Sequence, residues 1–165
     1  MLHLRASSVD DTHAIAACIA AVARPGDLIV LAGEMGAGKT AFAQGFGTAL
    51  GVVEPMTSPT FTLVHSYDLG RTTLHHADIY RLTTRNELDD LALGELLEFD
   101  GIVLLEWGDV VLHLLGEHLL VRLEAAPGDD EDARSLTIVG SGKHWAARWE
   151  RLRAALAKFD AEPEL

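Results

Sequence analysis

The stretch Leu28-Ile29-Val30-Leu31-Ala32-Gly33-Glu34-Met35-Gly36-Ala37-Gly38-Lys39-Thr40 decides the fold. Its first five residues form a continuous apolar run of strand length, the pattern of a strand covered on both faces in a parallel sheet. The next eight satisfy G-x-x-x-x-G-K-[ST] and lead into a helix predicted from about Thr40 to Leu50, ended by Gly51. Each residue type has a physical reason. Glycines let successive N–H groups turn inward and leave no side chain in the path of a phosphate. Lys39 carries a compact positive charge to the β- and γ-phosphates, Thr40 offers Mg²⁺ a hard oxygen, and the helix N-terminus adds partial positive charge. A glycine-rich turn that merely joins strand to helix is the alternative, but eight matching positions with the right flanks favour a nucleoside triphosphate site. Gly33, Glu34, Met35, Gly36, Ala37, Gly38, Lys39 and Thr40 are its binding loop.

Upstream, Ser8-Val9-Asp10-Asp11 has the form of a capping box, with helical pattern through Ala14 to Ala23 until Pro25-Gly26 stops it. Downstream, Pro55 and Pro59 bracket a loop rich in Thr and Ser. Thr60 to Tyr67 and Arg71 to Asp78 then read as two strands joined by a turn at Asp68-Leu69-Gly70. Thr84-Arg85-Asn86-Glu87 is a second capping box, opening a helix through about Phe99 with a break at Gly94. Ile102 to Leu105 is another fully apolar strand. Leu119 to Glu124 and Leu136 to Val139 read as a hairpin around the acidic loop Gly128 to Asp132. Trp145, Trp149, Leu152 and Leu156 recur at helical spacing on a last helix, as a core stripe. Strands alternating with helices predict one α/β domain over residues 1–165. It is a P-loop NTPase-like fold, with a mainly parallel central sheet flanked by helices and antiparallel hairpin additions.

The 165 residues carry 13 Lys+Arg against 25 Asp+Glu, a formal charge of −12, which argues against tight binding to bare nucleic acid. It does not argue against a nucleotide in a local pocket. The single cysteine, Cys18, excludes an internal disulfide and a cysteine-rich zinc site and reads as a small core residue. No run approaches the roughly 20 apolar residues of a membrane span, and Met1 to Arg5 has no apolar core of a secretory signal. A cytoplasmic protein without membrane attachment is the expectation.

The type of nucleotide and the chemistry come from what accompanies the loop. The only asparagine, Asn86, is followed by Glu87-Leu88, so no N-K-x-D guanine-reading motif exists, and no D-x-x-G switch occurs; ATP is favoured over GTP. The strand Ile102 to Leu105 ends in Glu106, an acid at the carboxyl edge of a sheet where it can hold Mg²⁺ directly or through water. Without the phosphate loop, Glu106 would read equally well as an exposed acid at a strand end. His76 and Asp78 are two apart and share a face of an extended strand, whereas His75 and His76 point oppositely and make a two-histidine metal site improbable. Asp78 can align an attacking water. Ser58-Pro59-Thr60 lies where a switch-like segment is expected, though alone it is only a turn leading into a strand.

Taken together, Gly33 to Thr40, Ser58-Pro59-Thr60-Phe61-Thr62-Leu63-Val64, His76-Ala77-Asp78-Ile79-Tyr80-Arg81-Leu82 and Leu105-Glu106-Trp107 resemble the TsaE family. That family is the ATPase of bacterial tRNA threonylcarbamoyladenosine biosynthesis, and order and spacing match over nearly the whole chain. The resemblance implies that Lys39 and Thr40 contact phosphate and Mg²⁺ and that Glu106 is the second metal-site acid. It also implies that Thr60 senses the nucleotide, that Asp78 is important for hydrolysis, and that Trp107 lies beside the site. Asp11 and Arg134 match the family's N-terminal acidic position and its late-hairpin arginine near the base. The implied activity is ATP hydrolysis, weak in the isolated protein and coupled to partner proteins TsaB and TsaD, with tRNA engaged only indirectly. The competing reading is a small-molecule kinase resembling shikimate kinase. Its loop would look nearly the same, but it needs an acceptor pocket with positioned arginines and a mobile lid, for which the sequence offers no clear candidate.

Overall fold

The computed structural model describes residues 1–57, 59, 64–80, 89, 92–98, 100–126 and 130–161. Ser58, Thr60, Arg81 and the capping box Thr84 to Glu87 lie outside them. In chain order the described elements are β1 (Leu2–Ala6), α1 (Val9–Val22), β2 (Leu28–Ala32), α2 (Lys39–Leu50), β3 (Val64–Asp68) and β4 (Thr73–Asp78). They continue with α3 (Leu93–Glu98), β5 (Gly101–Glu106), a 3-10 helix (Gly108–Leu114), β6 (His118–Ala125), β7 (Arg134–Ser141) and α4 (Lys143–Leu156).

The strands form a seven-stranded sheet in the order β1-β7-β6-β2-β5-β4-β3. Its centre, β6-β2-β5-β4, is parallel, and β7-β1 and β3 extend it antiparallel at the two edges. The expected architecture is therefore present, with one refinement. The late hairpin is not an appendage, because its first strand pairs in parallel with β2 and completes the centre of the sheet.

All five residues of β2 are buried, as a run without polar alternation requires. Ile29 and Leu31 pack with Ile15 and Ile19 of α1 and Phe42 and Phe46 of α2, while Leu28 and Val30 join Val103 and Leu105 in a smaller cluster covered by α3 and the 3-10 helix. Ser8 caps α1 as anticipated, its hydroxyl accepting from Asp11 N–H at 3.1 Å; Asp11 returns a carboxylate to Ser7 N–H at 2.9 Å. Trp145, Leu152 and Leu156 of α4 are buried core residues.

Two elements depart from the sequence reading. Leu2 to Ala6 is an edge strand with strictly alternating burial, paired to β7; its period of two is visible in Leu-His-Leu-Arg-Ala but is short enough to pass for an irregular terminus. The predicted break at Gly94 falls earlier: Ala92 takes a left-handed φ of 53°, and Gly94 lies inside α3.

Candidate phosphate-binding site

Parallel strands point their carboxyl ends to one edge, and that edge collects the candidate residues. β2 runs into the glycine loop, β5 ends at Glu106 and β4 ends at Asp78, which stands in register with Glu106. Side chains at registered positions of parallel strands share a face, so Asp78, Glu106 and His76, two residues before Asp78, all project towards the side occupied by α2.

The loop is shaped by contacts a side chain would destroy. Gly33 has φ +143°, and a Cβ there would lie 2.5 Å from the Leu123 carbonyl oxygen. Gly36, at φ +82°, faces open space with nothing within 4 Å of a would-be Cβ, the bare backbone that an incoming phosphate needs. Lys39 is buried at the loop's foot, its ammonium donating to the carbonyls of Gly33 and, at 3.2 Å, Glu34. It also sits 3.6 Å above the Trp107 ring centroid, a cation–π contact, and the Tyr80 ring packs tilted against the same indole with ring centroids 4.8 Å apart. Burial pulls the Lys39 pKa below its ordinary value, while the charges of Glu106, Asp78 and Asp109 oppose the shift.

Asp78 is held by the Tyr80 N–H, 2.9 Å from its Oδ1. Burial raises its pKa; the Tyr80 hydrogen bond counters this, Glu106 reinforces it, and His76 and Lys39 oppose it. Glu106 is almost fully buried, with its Oε2 2.7 Å from His76 Nε2. The sequence places His76 on the face of Asp78 and in the family motif but assigns it no role; its imidazole contacts the acid directly. The alternation His-Ala-Asp leading into the carboxyl edge was the available signal. His75 points the other way and pairs with Ser66 at 2.7 Å, so the two adjacent histidines do not converge.

Thr40 is exposed at the start of α2. Among the described residues, no three His, Cys, Asp or Glu side chains converge to hold a metal unaided. A hydroxyl and a carboxylate beside a phosphate cradle suit Mg²⁺, which keeps several waters and takes ligands from phosphate. Thr40 and Glu106 are the residues that fit it.

Arg134 and Asp11 are placed less directly. The Arg134 guanidinium braces the loop from outside, with Nε donating to Ala37 O at 2.9 Å and a terminal nitrogen to Gly36 O at 3.2 Å. Ala6, which pairs with Arg134 in the sheet, leads through Ser7-Ser8 into α1, whose first helical turn carries Asp11. Asp11 lines a separate hollow of about 430 Å³ with Arg5, Ser7 and Lys158 and shares no wall with the phosphate-loop cleft. Thr60 lies outside the described residues.

Residues 6–136 match the sequence model of the family described as threonylcarbamoyl adenosine biosynthesis protein TsaE. A tRNA threonylcarbamoyladenosine biosynthesis protein TsaE of Bacillus subtilis is 37% identical over 159 residues, 96% of each chain. The protein of that name from Streptomyces coelicolor is 41% identical, covering 78% of this chain and 89% of its own. Among solved structures, a crystal structure of Bacillus subtilis YdiB superposes with a TM-score of 0.72 at 34% identity, covering 95% of this chain and 94% of that one. No helix among the described residues is long and apolar enough to cross a membrane.

Proposed function

The chain belongs to the threonylcarbamoyl adenosine biosynthesis protein TsaE family, and on that premise we propose that it is the ATPase of this tRNA modification, hydrolysing ATP with Mg²⁺ to drive the cycle of a TsaB–TsaD partner complex in the cytoplasm. The observation that carries the reading is the convergence of buried Lys39, Asp78 and Glu106 on the glycine loop at one sheet edge.

In this reading the loop N–H groups and Lys39 cradle the phosphates and offset the charge that builds on them as the terminal bond breaks. Thr40 and Glu106 would hold Mg²⁺, which would supply positive charge to offset that of the phosphates, and His76 fixes the Glu106 carboxylate through the 2.7 Å contact. Asp78 orients the attacking water. Its raised pKa makes it a stronger hydrogen-bond acceptor than an ordinary surface carboxylate. Water oxygen bonds to the terminal phosphorus as the bridging P–O bond breaks with its electron pair left on ADP; one proton of the water stays on the departing hydrogen phosphate and the other passes to solvent. The Trp107 ring beneath Lys39 restricts that ammonium to the loop. Thr60 is assigned the role of nucleotide sensor by the family resemblance alone.

The decisive experiment measures ATP turnover and threonylcarbamoyladenosine formation on tRNA, with and without purified TsaB and TsaD. Dependence in both directions, lost in Lys39→Ala, is expected. Turnover indifferent to the partners, or a Lys39→Ala variant as active as the natural chain, would overturn the reading. ATP-dependent phosphorylation of a hydroxylated metabolite would favour the kinase alternative instead.

A further inference from the structure

A further cation faces the phosphate loop, and nothing in the mechanism above uses it. Gly33 to Ala37 form one wall of a cleft of about 600 Å³; Arg122 to Ala125 of β6 form the opposite wall, with Trp107 and Asp109 alongside. Arg122 is registered with Ala32, the residue before the loop. Its neighbours Val121 and Leu123 are buried in the core beneath α1 and α2, so the Arg122 side chain projects from the other sheet face, towards the 3-10 helix.

The partners of Arg122 leave it able to move. Among the described residues its one side-chain partner is Asp109, 3.7 Å away, with the two side chains 39% and 23% exposed. That distance is beyond a hydrogen bond, and partly exposed pairs of this kind contribute roughly 0–1 kcal/mol. Asp109 is poorly matched as well: its Oδ1 is buried with no hydrogen-bond partner among the described residues. An orphaned carboxylate oxygen beside a loosely held arginine is an unfinished arrangement. Arg134, the other arginine at the loop, is committed to four backbone carbonyls, those of Gly36, Ala37, Glu131 and Ala133.

The charge balance gives Arg122 a task. Lys39 is already surrounded by the charges of Asp78, Glu106 and Asp109. A nucleoside triphosphate brings about four further negative charges, and a planar guanidinium matches phosphate oxygens in a bidentate fork. We propose that Arg122 is a further catalytic residue: it leaves its loose pair with Asp109 and donates to the terminal phosphate of a nucleoside triphosphate in the glycine loop. Asp109 is a positioning residue that parks the guanidinium at the cleft. Arg122 stays protonated throughout and stabilises charge on the oxygens of the departing phosphoryl group. The inference rests on the ATPase reading above.

The test uses the full chain and compares binding of ADP with that of a non-hydrolysable ATP analogue by calorimetry, in the natural protein, Arg122→Ala and Arg122→Lys, alongside single-turnover ATP hydrolysis with Lys39→Ala as control. Arg122→Ala is expected to lose roughly ten- to a hundredfold of its affinity for the analogue, the worth of one charge-assisted hydrogen bond. Its ADP affinity stays within about twofold, and Arg122→Lys falls between. Hydrolysis by Arg122→Ala drops at least about tenfold, as for arginines that act on a transferring phosphoryl group. An unchanged ratio of the two affinities overturns the inference, and so does equal loss of both ligands with a lowered melting temperature, which marks a structural role. Turnover abolished by Lys39→Ala but untouched in Arg122→Ala sinks this inference alone. A natural protein that neither binds the analogue nor hydrolyses ATP sinks the ATPase reading and the inference with it.

Discussion

Replacing His76 tests whether the buried imidazole serves the chemistry or merely fills space. It stands 2.7 Å from Glu106, with side chains 1% and 3% exposed, so solvent cannot substitute for it. A hydrogen bond to a charged group is worth about 1.5–3 kcal/mol. At 1.4 kcal/mol per factor of ten, that is roughly ten- to a hundredfold, the same range by which partners of metal-ligating groups alter metal affinity. His76→Ala is therefore expected to raise the Mg²⁺ concentration for half-maximal ATP hydrolysis by about ten- to a hundredfold. His76→Gln, which can still donate to the carboxylate, is expected to fall between that variant and the natural protein. The assay is a Mg²⁺ titration of turnover at saturating nucleotide, well below the melting temperature of each variant. Removing a buried ring also costs stability, so metal-free melting curves must show that the variants are folded. A folded His76→Ala with an unaltered Mg²⁺ titration would refute the assignment of His76 as the residue that orients Glu106.

Other consequences are independent of the metal. Arg148 makes a buried two-point pair with Asp27 at 2.6 and 2.8 Å and reaches Val22 O at 2.9 Å, tying α4 to the end of α1 and the start of β2; Arg148→Ala should cost about 3–5 kcal/mol in urea unfolding. A loss below about 1 kcal/mol would show that the pair does not hold the layers together. Gly33→Ala, whose Cβ would meet Leu123 O at 2.5 Å, should lower the melting temperature without nucleotide present. Gly36→Ala, with open space around it, should melt closer to the natural chain yet bind ATP poorly; the reverse ranking would contradict the loop geometry. Burial holds the His75 pKa below its ordinary value, so the unfolded chain, titrating near 6.5, binds more protons over that window. Stability is then present above pH of about 6.5 and declines as pH falls towards the folded value. His75→Gln should flatten that slope, and parallel stability curves for the two proteins would count against it.

The sequence was most readable where one chemical demand dictates several neighbouring residues. The loop from Gly33 to Thr40 needs glycine, lysine and a hydroxyl at fixed spacing, and the buried strands on either side need unbroken apolar runs. Those features determined the sheet's centre and the edge where the site lies. Pairings between distant segments were less readable. Nothing local in Leu119 to Glu124 distinguishes an added hairpin from a central strand, because that depends on whether β2 has a free neighbour. Likewise, Arg122 and Asp109 meet only because the 3-10 helix packs on β2, the strand paired with β6. His76 was visible as a residue sharing a face with Asp78, but its partner lies thirty residues further on.

The acidity of the chain bears on how a protein of tRNA modification meets its RNA. Phosphodiester binding needs a continuous basic stripe. Around the loop, Lys39 is buried and Arg134 is bound to backbone carbonyls, while Arg148 is neutralised by Asp27 inside the core. Lys143, Arg151 and Arg153 are exposed on α4, but Glu150 interrupts them and pairs with Arg153 at 4.0 Å. Across the sheet, Asp89, Glu95, Glu98 and Asp100 are exposed around α3. With a formal charge of −12 the chain repels a polyanion at long range, and the acids beside these cations limit the counterions they release. Affinity of the isolated chain for tRNA is therefore expected to be weak and its salt dependence shallow, in filter-binding measurements between 50 and 200 mM salt, the range over which a protein with several phosphate contacts loses roughly a thousandfold or more. Addition of TsaB and TsaD should bring the chain to tRNA through protein contacts. Tight binding by the isolated chain with a steep salt slope would mean that a basic surface has been overlooked and that this protein reads the tRNA directly.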